Sequence, residues 1–153
     1  MKKTWDKTFL EIAELFAEHS TCRKRQVGAV LVKSRRIISC GYNGTPSGMP
    51  HCDSFFHTEE ECKCLSGSGH SLHHEFSAKY ELHAEQNCIA FAAKSGSCID
   101  DSCILYVTTA PCSDCAKLIV AAGIKKVVYK EHYKNSDGVD FLKEAHVEVV
   151  KEN

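Results

Sequence analysis

An α/β fold built on a five-stranded mixed sheet with helices on both faces is the class predicted for this chain, on three observations. Two β-rich runs, 27–32 and 37–42, are joined only by the charged Lys33-Ser34-Arg35-Arg36, which reads as a hairpin. Beyond residue 82, helical and strand-like segments alternate, the pattern of a sheet extended by helical crossovers. The length of 153 residues suits one continuous core and is short for two, so a single domain over 1–153 is expected.

Trp5, Phe9, Ile12, Ala13, Phe16 and Ala17 recur at helical spacing and predict a helix over 4–19, with Thr8 and Glu11 as its capping box. The hairpin follows. From 44 to about 78 the chain carries Gly, Pro, Ser, His and Cys without sustained periodicity, and an unsupported loop of that length is uncommon in a compact domain. Something must tie it down, and a metal is the candidate. Residues 83–94 are good helix formers ending before Gly96, and 103–108 form a short apolar strand. A helix over 112–122 stops at Gly123 and runs into a strand over 125–129. Phe141, Leu142 and Ala145 indicate a last helix, and 147–150 a terminal strand.

Lys and Arg total 19 against 20 Asp and Glu, a formal net charge of −1, which leaves no global basic field for a nucleic-acid backbone. No apolar run approaches a membrane span, and the opening Met1-Lys2-Lys3-Thr4-Trp5-Asp6 leads into an amphipathic helix without a cleavage site, so a cytoplasmic protein is expected. Ten cysteines in a reducing compartment read as metal ligands or core residues rather than disulfides. Cys22, Cys52, Cys62, Cys64, Cys112 and Cys115 lie in polar or turn-like surroundings and are ligand candidates. Cys40, Cys88 and Cys103 lie in apolar patterns, and Cys98 reads as a loop thiol.

The chemistry is concentrated in His83-Ala84-Glu85 and Pro111-Cys112-Ser113-Asp114-Cys115. One imidazole and two thiolates make three zinc ligands, whereas a structural zinc is usually closed by four; three leave a position at which the metal can activate water. Glu85 is the carboxylate for proton transfer. Helix starts at both motifs would point two positive dipole ends at one metal and favour thiolates, with Cys112 and Cys115 on one helix face. The alternative for these residues is a zinc-ribbon-like knot closed by a further Cys or His. An H-x-E followed by P-C-x-x-C is the signature of zinc-dependent nucleobase deaminases.

With those motifs, Ser20-Thr21-Cys22 before Val27-Gly28-Ala29-Val30, the loop Gly41-Tyr42-Asn43-Gly44-Thr45-Pro46-Ser47-Gly48, and Ala121, Gly123 and Ile124 before a strand, the chain resembles the phage-type deoxycytidylate (dCMP) deaminase family within the zinc-dependent cytidine deaminase-like superfamily. The resemblance covers nearly the whole length and implies a three-layer cytidine deaminase-like fold. It implies hydrolytic conversion of dCMP to dUMP and ammonia, feeding dTTP synthesis, with Glu85 catalytic and zinc on His83, Cys112 and Cys115. Asn43, Thr45, Ala84, Ala110 and Tyr133 are the implied substrate contacts, and Lys24 and Arg25 the implied 5′-phosphate ligands. Arg23, Lys24 and Arg25 are also the densest basic cluster of a nearly neutral chain, for which a solvated turn is the plain alternative.

The resemblance further implies a homohexamer activated by dCTP and inhibited by dTTP, magnesium accompanying the triphosphate, with Tyr42, Gly44 and Lys94 at the regulatory pocket. It implies a second, structural zinc on Cys22, Cys52, His73 and Glu81, pinning the irregular insert. Cys62 and Cys64, with His57, His70 and His74, fall outside the family motifs; they are left as substitute ligands, a further metal site or a His-rich loop. Deamination of another substrate (dCTP, tRNA adenosine, guanine) and a non-catalytic zinc-binding module are the alternative functions.

Overall fold

Along the hairpin the side chains alternate as a strand period of two requires: Val30 and Val32 fall in one apolar cluster, Ala29 and Leu31 in another. That alternation divides the whole molecule. In the computed structural model, which describes residues 1–153, the elements run α1 (Trp5–Ala17), β1 (Gly28–Lys33), β2 (Arg36–Tyr42), α2 (Cys52–Phe55), α3 (Glu59–Lys63), α4 (Leu72–Tyr80), α5 (Ala84–Lys94), β3 (Cys103–Thr109), α6 (Ser113–Ala121), β4 (Lys126–Glu131), α7 (Asp137–Glu144) and β5 (Glu148–Lys151). The sheet order is β2-β1-β3-β4-β5. β1 pairs antiparallel with β2 and β3, while β3–β4 and β4–β5 are parallel, so the sheet is mixed as expected.

One face of the sheet takes α1 alone. Phe9, Leu10 and Ala13 pack on Val30, Val32, Tyr106 and Val128, and the Tyr106 hydroxyl donates to Asp6 at 2.7 Å. The helix lies so close that a Cβ on Gly28 would stand 1.9 Å from the Ala13 carbonyl oxygen. The opposite face carries α5, α6 and α7, whose Cys88, Ile89, Ala92, Ala116, Ile119 and Leu142 meet Leu31, Leu105, Val107 and Val127. Each fully buried Leu or Ile there contributes about 1.5–3 kcal/mol relative to exposure. The turn between β1 and β2 is Ser34-Arg35, with φ of 51° and 59°, the left-handed pair a two-residue hairpin needs.

Two expectations change. The cap of α1 is Thr4, whose side chain accepts from the Lys7 N–H; the Thr8 hydroxyl is spent on the Thr4 carbonyl, so Thr8 and Glu11 form no capping box. The stretch from 44 to 78 contains three short helices. Each begins at a polar residue, His51, Thr58 or Ser71, and none is long enough to show an apolar stripe. The last helix, indicated by Phe141, Leu142 and Ala145, is present, and it reaches back to Asp137 with Val139 also buried. An isolated bridge pairs Gly44 with Leu82 through both N–H···O bonds, 3.0 and 2.9 Å, so the insert leaves and rejoins the scaffold at one point. No helix is long and apolar enough to cross a membrane.

Candidate active site and metal centres

His83 is the N-cap of α5 and Cys112 the N-cap of α6, so two helix N-termini meet over the edge of β3. Gln86 fixes the entry to α5 by accepting from the His83 N–H at 2.7 Å. His83 Nδ1 then lies 3.3 Å from Cys115 Sγ and 3.5 Å from Cys112 Sγ. These three donors lie within 4.8 Å of one another, and no fourth joins them. The closed zinc-ribbon-like alternative therefore lacks its last ligand. Glu85, one position into α5, is 4% exposed and stands outside the donor group.

Electrostatics follow from that packing. A hydrogen bond from the Cys115 thiol, with His83 helping, pulls Cys112 down to about 4 against the cost of burial, while Cys115, holding the proton, is pushed strongly up. The hydrogen bond with Cys112 raises His83. Burial raises Glu85, offset in part by its own backbone N–H and by His83. A soft donor set with one thiolate preformed fits zinc, which displaces the remaining protons on binding.

A second group of four donors, Cys22, Cys52, His73 and Glu81, also lies within 4.8 Å. Cys22 Sγ is 3.1 Å and Glu81 Oε2 3.9 Å from the same atom, His73 Nε2. Glu81 Oε1 is buried without any hydrogen-bond partner, which is costly for a carboxylate unless a cation sits against it. Burial raises Cys22 to about 11 and lowers His73. These residues too fit a zinc ion. They come from the turn after α1, the start of α2, and the two ends of α4, so one ion would tie the insert to the scaffold.

Both groups border one cavity of about 890 Å³, lined also by Lys24, Arg25, Asn43, Ala84, Ala110 and Tyr133. The Arg25 guanidinium lies 5.8 Å from the Tyr133 ring centre. Asn43 serves as a clamp: its Oδ1 accepts from the Val27 N–H and its Nδ2 donates to the Arg25 carbonyl, both at 2.8 Å, holding the basic turn against the cavity. Arg23 faces elsewhere, donating to the Phe56 carbonyl at 2.6 Å.

Other expected site residues are not gathered there. Thr45 lies outside the cavity lining, with its hydroxyl 3.4 Å from His51 Nδ1. Tyr42 is tied at its carbonyl to the Asn87 side chain, whereas Lys94 is seven residues further along α5, about 10 Å by the helix rise. Within one chain, then, Tyr42, Gly44 and Lys94 do not line one pocket with the donors. Cys64 is exposed, His70 and His74 stack at 4.7 Å on the surface, and no third cluster of donors forms.

Gly138 is a support that the motifs do not reveal. Its missing side chain lets α7 touch the ligand loop, where a Cβ would stand 2.1 Å from the Pro111 carbonyl oxygen and 2.8 Å from that of Cys112. The available signal was a glycine inside a helical segment, which usually has a packing reason. Ser77 and Lys134, which no motif marks, also line the cavity, as does His74 from the unassigned histidines of the insert.

The family model for the cytidine and deoxycytidylate deaminase zinc-binding region matches residues 3–131. The deoxycytidylate deaminase of Enterobacteria phage T2 is 43% identical over 93% of this chain and 89% of its own, and that of phage T4 is 42% identical over 93% and 86%. The structure of a dCMP deaminase from the cyanophage S-TIM5, in complex with dCMP and dUMP, superposes with a TM-score of 0.79 at 38% identity, covering 99% of each chain.

Proposed function

The chain belongs to the cytidine and deoxycytidylate deaminase family and has its three-layer fold, and from that premise we propose that this member hydrolyses dCMP to dUMP and ammonia, supplying dUMP for dTTP synthesis. The observation that carries the reading is a buried Glu85, its proton affinity raised by burial, beside a three-donor group in a cavity with cationic residues at another part of its wall. Zinc on His83, Cys112 and Cys115 would supply the Lewis acid that makes water nucleophilic near neutral pH.

Glu85 would take one proton from the attacking water as its oxygen adds to C4 of the cytosine ring and pass it to N3, then take the second from the resulting C4 hydroxyl and pass it to the departing amine, so that the two water protons end on N3 and on ammonia. Burial keeps the Glu85 proton affinity high enough for both transfers. The backbone at Ala84 reads the pyrimidine edge, and Ala110 and Tyr133 bound the base and sugar. Lys24 and Arg25 take the 5′-phosphate, a dianion that one or two such donors neutralise. Asn43 supports that turn and keeps unused hydrogen-bonding capacity for the nucleoside, since an amide oxygen accepts twice and its nitrogen donates twice.

The donor set Cys22, Cys52, His73 and Glu81 would hold a second, structural zinc. On the family resemblance, the protein would be a cytoplasmic homohexamer, activated by dCTP with magnesium and inhibited by dTTP. Tyr42, Gly44 and Lys94 would serve that control, and a second subunit would bridge the distance along α5 from Asn87, where Tyr42 is held, to Lys94. Linkage requires that bound substrate then raise dCTP affinity.

Ammonia release, followed across dCMP, dCTP, deoxycytidine and guanine, tests the substrate directly. dCMP should turn over fastest; faster turnover of guanine or unphosphorylated deoxycytidine would refute the assignment. Replacing Lys24 and Arg25 together by Ala should raise KM for dCMP by about 10-fold or more, each charge-assisted hydrogen bond contributing roughly 1.5–3 kcal/mol. Deoxycytidine should be nearly unaffected, and an equal loss for both would remove phosphate recognition from these residues.

A further inference from the structure

Three buried thiols, not two, meet under the aromatic rings of Phe56 and Phe76: Cys22, Cys52 and Cys62 form one packed cluster. Cys62 is the sole buried residue of α3, whose Glu59, Glu60, Glu61 and Lys63 all face solvent. The helix is held at its start by a capping box between Thr58 and Glu61, which sets its rotation and turns Cys62 into the cluster beside Cys52. Beside this trio Glu81 presents the hardest donor of its group, a carboxylate with one oxygen unpartnered.

We propose that Cys62 is a fifth donor of the second metal centre, an alternate thiolate that takes the place of Glu81 around a thiophilic divalent cation. The inference rests on the reading of Cys22, Cys52, His73 and Glu81 as a metal site. It follows from donor chemistry and position. Three Cys and one His is a common structural zinc set, and Cys22, Cys52, Cys62 and His73 would complete it wherever Glu81 gives up its position. Cys62 adjoins the four-donor group through Cys52 without being one of its members, so it can enter only when a position is vacated. A thiol buried merely as a small apolar residue would have no such capacity.

Zinc per chain and the cobalt(II) spectrum of the metal-exchanged protein test this, in the full chain. Wild type should hold two zinc ions, one for each donor group. Glu81→Gln and Glu81→Ala should each still hold two, and the thiolate-to-cobalt absorption should rise by about a quarter as a fifth thiolate joins four. Cys62→Ala should hold two with unchanged absorption, and Cys62→Ala combined with Glu81→Gln should lose the added absorption and yield its second zinc to a chelator at least about tenfold faster than Glu81→Gln does. Either Glu81 variant dropping to one zinc while wild type holds two, or the double variant matching Glu81→Gln in absorption and zinc release, overturns the role of Cys62 alone. Wild type holding a single zinc overturns the second centre together with it.

Discussion

The two donor groups of this chain differ in what holds them in place. His83, Cys112 and Cys115 sit at the starts of α5 and α6, on the face of the sheet that carries the largest apolar cluster. Cys22, Cys52, His73 and Glu81 come from a turn, a four-residue helix and the two ends of α4, packed against only Phe56, Phe76, Cys62 and Tyr80. The first group is positioned by a core that exists without a metal; the second has so little core that a metal would supply it. Ligand number matches this division, three beside a free carboxylate in one case and four with an orphaned carboxylate oxygen in the other. A site for chemistry borrows its rigidity, and a site for structure provides it.

Glu85→Gln breaks the comparison most sharply. The amide keeps the shape and removes the proton carrier, so kcat should fall by roughly 10²–10⁴-fold, the usual contribution of a positioned acid–base group. Zinc content, measured on the same sample, should not change, because Glu85 stands outside the donor group. Zinc loss in step with activity would make Glu85 a ligand instead.

Removing the other centre should act on stability and spare the catalytic metal. With Cys22→Ser and His73→Ala combined, the cross-link between the turn after α1 and the insert is lost; closing a loop of that size is worth about 4 kcal/mol. Limited proteolysis should then cut within 45–81 while one zinc stays bound. Protease resistance equal to wild type would mean that the Phe56 and Phe76 cluster suffices.

How legible each region was follows the same division. The sheet announced itself because strands buried on both faces must be apolar and hairpins leave a charged turn, and the catalytic donors because H-A-E and P-C-S-D-C compress them into two short runs. The second donor group is spread from residue 22 to 81 and was found through family resemblance alone. The helices around it are four, five and nine residues long, fixed by caps and contacts rather than by a hydrophobic period. Thr45 falls outside the cavity lining because proximity in sequence to Asn43 does not place a side chain in a cavity. Gly138 was illegible because its reason is the backbone of another segment.

That contact gives the next test. Gly138→Ala must push α7 away from the carbonyls of Pro111 and Cys112, an overpacking cost of about 1–3 kcal/mol or more. The displacement falls on the ligand loop of the first group only. Thermal melting should shift down and zinc affinity at the catalytic group should drop, with the insert's protease resistance unchanged. A melting temperature equal to wild type would show that α7 is not a fixed support.

The smallest predicted difference is in thiol reactivity after chelation has stripped both groups. Cys112 is a thiolate above about pH 4, whereas burial holds Cys22 as a thiol until about 11. At pH 7 the thiolate fractions therefore differ by about 10⁴-fold in favour of Cys112, but a thiolate of lower pKa is a weaker nucleophile, by about 10³-fold over this interval for a Brønsted slope near 0.45. The net preference is about tenfold, and burial of Cys22 adds to it. Iodoacetamide at pH 7, with labelled peptides identified by mass spectrometry, should modify Cys112 first, and raising the pH should accelerate Cys22 while leaving Cys112 constant. A Cys112 rate that climbs with pH alongside that of Cys22 would mean that the first group holds no preformed thiolate. The first would then depend on its metal for electrostatic order as fully as the second depends on its own for structure.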